Sequence, residues 1–151
     1  MIYFKVISMI ENSTEIDFEI IKELWNKYLL EDGSIVRLKN PPIKIFKTDK
    51  TDTLGTPIYR VGGITLISSI VPKELKSTPS EDQTLVPADI ISELKFSIIN
   101  EDWCEYKLTD GVIFRLKSVV NKIVKTKKYN QYGEPIYWCT WQVLTDKIMQ
   151  K

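Results

Sequence analysis

Histidine is absent from this 151-residue sequence. Without it the chain lacks the usual neutral-pH general base and the commonest metal ligand. That excludes His-dependent triads, imidazole-bound zinc and the helical zinc-protease motif. Alanine occurs once, at Ala88. Helices are normally filled with alanine and other unbranched residues, whereas the isoleucine, valine, threonine and tyrosine abundant here suit a pleated surface. Two cysteines, Cys104 and Cys139, are too few for a disulfide framework or a four-thiolate metal site. The formal charge is only +1, so no global field steers the chain toward polyanions or membranes. No apolar run approaches the roughly 20 residues that cross a bilayer. The start, Met1 to Ile7, lacks the cationic head, apolar run and cleavage site of a signal peptide. The expectation is a soluble cytoplasmic protein with no membrane partner. No phosphate-cradling glycine loop is present, because Gly62-Gly63 is followed by neither lysine nor a helix. Carboxylates are plentiful, but none has a convincing metal or acid/base spacing. No cofactor, metal or catalytic residue is expected.

What the sequence has is a stretch written twice. Trp25, Tyr28, Leu30, Asp32, Gly33, Ile35, Arg37, Leu38 and Lys39 return 78 positions later, from Trp103 to Lys117. Gly55, Pro57, Ile58 and Tyr59 return as Gly133, Pro135, Ile136 and Tyr137 at the same offset. Of the 57 positions aligned between 15–71 and 93–149, 25 are identical. Two unrelated segments would not match so well, so the pattern reads as an internal duplication. The chain divides into an N-terminal strand and turn (1–14), a first repeat (15–71), a linker (72–92) and a second repeat (93–151). Tyr3–Ile10 reads as a strand outside the repeat. The linker carries Pro72, Pro79 and Pro87, and Pro87-Ala88-Asp89 is placed to open one short helix.

Each repeat reads as a three- to four-stranded antiparallel meander. Phe18–Ile21 and Phe96–Ile99 make a first strand. Trp25–Leu30 and Trp103–Leu108 make the next, before the Asp-Gly turns at 32–33 and 110–111. A two-residue turn would set Tyr106 opposite Arg115. A three-residue turn with a glycine bulge puts Tyr106, Leu108, Val112, Phe114 and Leu116 on one face, and that buried face sets the register. Pro41-Pro42 should interrupt the following strand, which runs on toward Thr48 or Thr126. Gly55 and Gly133 are expected at positive φ, with Pro57 and Pro135 opening the last strand. Gly62-Gly63 marks a bulge or a close backbone approach. The expected fold is mainly β, with the two meanders packed about a pseudo-twofold axis. The alternatives are an α+β fold with a short helix opening each repeat, along Ile16, Ile20, Leu24 and Leu29, or two small barrels joined by the linker.

The basic strands are the clearest chemical feature. Arg37, Lys39, Lys44, Lys47 and Lys50 lie in one repeat; Arg115, Lys117, Lys122, Lys125, Lys127 and Lys128 lie in the other. With Trp138 and nearby tyrosines they could track phosphates while rings stack on bases. The structural reading is a solvated β face that blunts an edge strand and pairs with Glu11, Glu15, Asp17, Glu19 and Glu23. The Trp25/Tyr28 and Trp103/Tyr106 pairs read as core more readily than as a platform for sugar or peptide. Arg37 and Arg115 read as structural, paired with a carboxylate such as Glu105, with Asp32 and Asp110 fixing the turns. Cys104 and Cys139 approach only if their strands are neighbours, and a thiol nucleophile would have no histidine base.

These observations give a non-catalytic binding or assembly module with two similar β surfaces. A protein partner or self-association is its expected interaction. Nucleic-acid binding through the basic strands, and a His-free enzyme with a cleft between the repeats, are the alternatives. The candidate ligand-binding residues are Arg37, Lys39, Lys47, Arg115, Lys117, Lys122, Lys125, Lys128 and Trp138.

Overall fold

A computed structural model describes residues 12–149. The expected strand at Tyr3–Ile10 lies outside them. The described chain is mainly β, in antiparallel sheets. Its strands are β1 (Ser13–Ile16), β2 (Phe18–Lys22), β3 (Asn26–Leu30), β4 (Ile35–Lys39), β5 (Pro42–Thr51), β6 (Pro57–Gly63) and β7 (Leu66–Ile70) in the first half. In the second half come β8 (Ile90–Leu94), β9 (Phe96–Asn100), β10 (Cys104–Leu108), β11 (Ile113–Tyr129) and β12 (Pro135–Ile148). The helical structure among the described residues is two three-residue 3-10 turns, Lys73–Leu75 and Pro87–Asp89. The Ile16–Leu29 stretch is therefore strand and turn, not a helix. Pro87 opens only the short turn, because Ile90–Leu94 is drawn into a sheet beside β11. That strand begins inside the expected linker, and Ser13-Thr14, expected as turn, opens β1.

The hairpins form as their apolar pattern requires. Tyr28 faces Val36 and Tyr106 faces Phe114. Gly33 donates to the Leu30 carbonyl and Leu30 to the Ser34 carbonyl, closing a three-residue turn with Gly33 at φ 88°. Gly111 repeats this at φ 89°. Pro41-Pro42 separates β4 from β5, which enter different sheets. The second half has no proline at that place, and β11 runs unbroken for 17 residues. The glycine pair likewise ends β6. A Cβ on Gly63 would stand 2.7 Å from the Pro41 carbonyl oxygen, so this is a close backbone approach.

The meander expectation fails in one respect. The strands expected to open the repeats, at Phe18–Ile21 and Phe96–Ile99, do not pair with the next strand of their own half. β2 pairs with β10, and β9 pairs with β3. The resulting sheets have the orders β1-β5-β6, β12-β11-β10-β2 with β8 also beside β11, and β7-β4-β3-β9. Three residues separate Lys22 from Asn26, and likewise Asn100 from Cys104, but neither connection closes as a hairpin. Crossing to the other half satisfies the backbone and the burial together.

Two buried clusters follow, each built from both halves. One joins Tyr28, Leu30, Val36 and Leu38 to Leu94, Val120, Ile123, Tyr137 and Cys139. The other joins Ile45 and Tyr59 to Tyr106, Leu108, Val112, Phe114 and Leu116. We call these the Tyr28 lobe and the Tyr106 lobe. The β11–β12 ribbon runs through both. Each lobe is a sheet-on-sheet pack, with edge-on ring contacts such as Tyr28–Phe96 and Phe18–Tyr106 across the exchanged strands.

Candidate functional site

A groove of about 720 Å³ lies in the Tyr28 lobe. It lies between β7, at Ile67–Ser69, and the start of β12, at Pro135–Trp138. Gln83–Pro87 and Ile90 wall its third side. Four large apolar residues on it keep about half or more of their surface in solvent: Val86 52%, Ile90 50%, Tyr132 70% and Trp138 48%. Other large apolar side chains are exposed too, such as Ile20, Leu54 and Ile98, but these four converge on one concavity. Among the described residues, Glu134 is the only charged side chain lining it.

The floor is held by a buried polar network. Tyr137 donates its hydroxyl to Asp32 Oδ2 at 2.6 Å, and the Ser34 hydroxyl lies 2.9 Å from it. Asp32 Oδ1 accepts the Ser34 backbone N–H, and Lys125 Nζ stands 3.5 Å from Oδ2. Burial works against ionisation of Asp32, but the Tyr137 hydroxyl and the Ser34 donors outweigh it and hold the carboxyl below its usual range. Burial, then the Asp32 carboxylate, pushes the Tyr137 phenol far up. Thr126 donates to the Ile136 carbonyl and so fixes the β11–β12 ladder beneath the groove.

The wall is tied down at several points. Ser77 N–H donates to the Gly133 carbonyl and Ser80 N–H to Tyr129. Lys128 Nζ donates to the Thr84 carbonyl. Asp89, 4% exposed at its side chain, accepts the Val86 N–H and faces Lys128 at 3.4 Å. Asn130 Oδ1 accepts from both Tyr132 and Glu134, which shapes the turn that presents Tyr132.

Another groove, about 520 Å³, is in the Tyr106 lobe between β6 and the far end of β12. Lys147 crosses it. Its Nζ donates to the Pro57 carbonyl at 2.6 Å, to Thr56 Oγ1 at 3.1 Å and to Asp52 Oδ2 at 3.1 Å. The Thr56 hydroxyl and backbone, followed by Lys147, hold the Asp52 carboxyl far below its usual range.

The basic residues singled out in the sequence are spread over both lobes. Arg37 stacks on Trp25 at 4.8 Å and donates to Ser68; Arg115 stacks on Trp103 at 4.5 Å and pairs with Asp146, not Glu105. Lys39 meets Glu23 at 2.9 Å, Lys47 meets Asp110 at 3.3 Å, and Lys122 meets Glu93 at 3.9 Å. Lys125 and Lys128 belong to the network under the groove and to its wall, while Lys117 contributes to holding the Asp102 carboxyl low. Of the candidate residues only Trp138 lines the groove, 6.2 Å from Trp141. Cys104 and Cys139 do not meet. They face β11 at Leu116 and Ile123, seven positions apart, and both are free thiols.

Sequence reasoning missed Ile67, Leu85, Val86, Ile90 and Tyr132 as groove residues. The signal was Leu85-Val86, an apolar pair inside an otherwise polar, proline-punctuated stretch. No group of three or more candidate metal ligands occurs among the described residues, and no helix there is long and apolar enough to cross a membrane. In comparison with known proteins, the chain matches no family model, no curated protein and no solved structure.

Proposed function

We propose that this chain is an internally duplicated, non-catalytic binding module, and that the groove in its Tyr28 lobe is where it binds. The observation that carries the reading is the gathering of Val86, Ile90, Tyr132 and Trp138, all half-exposed or more, on a groove whose floor and wall are already fixed by hydrogen bonds. Preformed apolar concavities with a few placed polar groups are the usual form of a binding site. Here the polar groups are Thr126, Asn130, Glu134 and Gln83.

Duplication and a pseudo-twofold arrangement are part of the same proposal. They are supported by registers that repeat at the 78-residue offset. Ile16 faces Ile45 as Leu94 faces Ile123; Lys22 faces Glu105 as Asn100 faces Lys27. The hydroxyl pairs repeat too: Tyr59 to Asp110 matches Tyr137 to Asp32. On this reading two like lobes diverged, and the groove of one is left without the lysine that crosses the other. The basic strands weigh less. Lys39, Lys47, Lys122, Lys125 and Lys128 already face carboxylates, which reduces the field available to a phosphate backbone.

The test is titration of the whole chain with an anilinonaphthalene dye. We expect saturable binding that changes tryptophan emission, weakened at least fivefold by Trp138→Lys. Dye binding that is indifferent to this substitution, or no saturable binding, rejects the groove as the site.

A further inference from the structure

The two grooves lie at corresponding seams, yet a lysine crosses only one of them. Each runs between the terminal strands of two facing sheets: β7 and β12 in the Tyr28 lobe, β6 and β12 in the Tyr106 lobe. Ser69 on β7 faces Val36, and Lys147 on β12 faces Phe114, the same register place 78 residues on. Lys147 spans its seam to the Pro57 carbonyl and Asp52. Serine at 69 is too short to do this. Beside it, Ser68 stands where the other lobe has Asp146. The β12 edge is thus guarded by an adjacent acid and base, whereas β7 reads Leu66-Ile67-Ser68-Ser69-Ile70, with no charge and no proline.

Exposed strand edges are normally protected by charge, proline or a covering element, because their free N–H and C=O groups recruit another strand. Among the described residues β7 has β4 on one side and no strand on the other. Its free side opens onto the groove. The facing edge of β12 begins at Pro135, which has no N–H to offer, so pairing is favoured on β7. The two serines add little bulk, which leaves room for a second backbone. The groove beyond supplies apolar contacts from Ile67, Val86, Ile90 and Trp138, and a single negative charge at Glu134.

We infer that β7 pairs edge-to-edge with an extended segment of a partner protein, whose alternate apolar side chains enter the groove and whose one cationic residue meets Glu134. Strand addition of this kind takes affinity from main-chain hydrogen bonds and specificity from pockets for alternate residues. The charge of the groove selects against acidic or highly charged segments. The inference rests on the groove being the binding site, and adds the chemistry of its occupant.

The test selects binders from a displayed library of random twelve-residue peptides against the full chain. Expected are peptides with alternate apolar residues and a single lysine or arginine, bound one to one. Ser69→Lys, which installs the crossing seen in the other lobe, should weaken them at least tenfold. Ser69→Thr, which leaves the seam open, should keep affinity within threefold and guards against a general loss of fold. N-methylation of alternate peptide amides should weaken binding at least tenfold in one phase of the alternation and little in the other. Glu134→Gln should cost several-fold. Failure to enrich any peptide, or equal binding by Ser69→Lys, overturns the inference. Binding indifferent to both N-methyl phases also overturns it, while leaving the groove as an apolar site. A chain that dimerises in solution, with the dimer abolished by Ser69→Lys, would make a second copy the occupant and overturn the partner assigned here.

Discussion

The Tyr28 hydroxyl donates to Glu101 Oε2 at 2.6 Å, joining residues 73 positions apart in the sequence. Tyr28 is fully buried, and the same oxygen also lies 3.3 Å from the Val120 N–H. Tyr106 makes the converse bond to Glu23 at 2.8 Å. Each lobe thus carries, against its core tyrosine, a half-buried carboxylate delivered by the short connection that follows its exchanged strand. Tyr28→Phe keeps the ring and its contact with Phe96 but removes the charge-assisted hydrogen bond. Such bonds are worth about 1.5–3 kcal/mol. The expected outcome is a loss of that size in denaturant unfolding for Tyr28→Phe, and a similar loss for Tyr106→Phe. Combining Tyr28→Phe with Glu101→Gln should cost less than the sum of the two alone, and strict additivity would show that the contact contributes nothing.

Both lobes draw strands from both halves, and β11 and β12 pass through each. Neither lobe can lose its packing without exposing the ends of strands that serve the other. Equilibrium unfolding should therefore be a single transition, with tryptophan emission and far-ultraviolet dichroism coincident. Tyr28→Phe and Tyr106→Phe should each shift that one midpoint. Two separated transitions, each moved by one substitution, would show independent lobes.

Gly55 and Gly133 have similar positive φ, 78° and 74°, and end similar loops. Their surroundings differ. A Cβ on Gly55 meets nothing within 4 Å, whereas one on Gly133 runs into the Ser77 carbonyl, where the groove wall is anchored. Alanine at either position carries the left-handed cost of about 1–2 kcal/mol. Gly133→Ala should exceed Gly55→Ala by about 1 kcal/mol or more, since backbone must also move. It should loosen the 77–87 segment as well, read as faster amide exchange at Ser77 and Ser80. Equal costs would mean that the segment yields freely.

The hairpins were legible because their information is local. Tyr106, Leu108, Val112, Phe114 and Leu116 can share one face only with a three-residue turn, and Gly111 supplies its positive φ. The break at Pro41-Pro42 and the approach at Gly62-Gly63 were legible for the same reason. Strand exchange was not. Phe18–Lys22 announces a strand, but its choice of β10 is fixed by contacts such as Tyr106–Glu23, which no local pattern encodes. The α+β alternative drew on Ile16, Ile20, Leu24 and Leu29; spacing alone cannot separate a helix face from strands joined by a bend. The groove was hidden for a different reason. Leu85 and Val86 sit in a stretch whose composition reads as linker, and Ser69 becomes informative only when set against Lys147 in three dimensions.

The thiols should separate cleanly. Cys139 is 1% exposed, and burial pushes its thiol up to about 12. Cys104 is half-buried beside the Leu24 carbonyl. Thiolate is the reactive form, so near pH 8 the native chain should consume about one equivalent of an aromatic disulfide reagent, and two after denaturation. Cys104→Ser should abolish the native reaction. Two fast equivalents in the native chain would place Cys139 in a region that opens readily.

Stability should fall away on both sides of neutrality, and two hydroxyl–carboxylate pairs contribute to both limbs. Burial opposes ionisation of Asp110, as it does of Asp32, yet the Tyr59 hydroxyl, the Val112 N–H and Lys47 outweigh it, so both carboxyls titrate below their usual 3.8 when folded. An acid with a lowered folded pKa stabilises the fold fully above its unfolded value. It loses that contribution as pH falls through the folded one. Acid destabilisation should therefore begin near pH 4 and continue below it, and Asp32→Asn should flatten this limb while lowering stability at neutral pH. Tyr59 and Tyr137 behave oppositely. Burial, then the neighbouring carboxylate, raises both phenols well above 10. Their contribution is complete below about pH 10 and declines as pH rises beyond it. Tyr137→Phe should be less stable at neutral pH yet lose less between about pH 10 and 12, measured by thermal midpoint alongside phenolate absorbance. An alkaline limb as steep in Tyr137→Phe as in the parent would assign that loss to other groups.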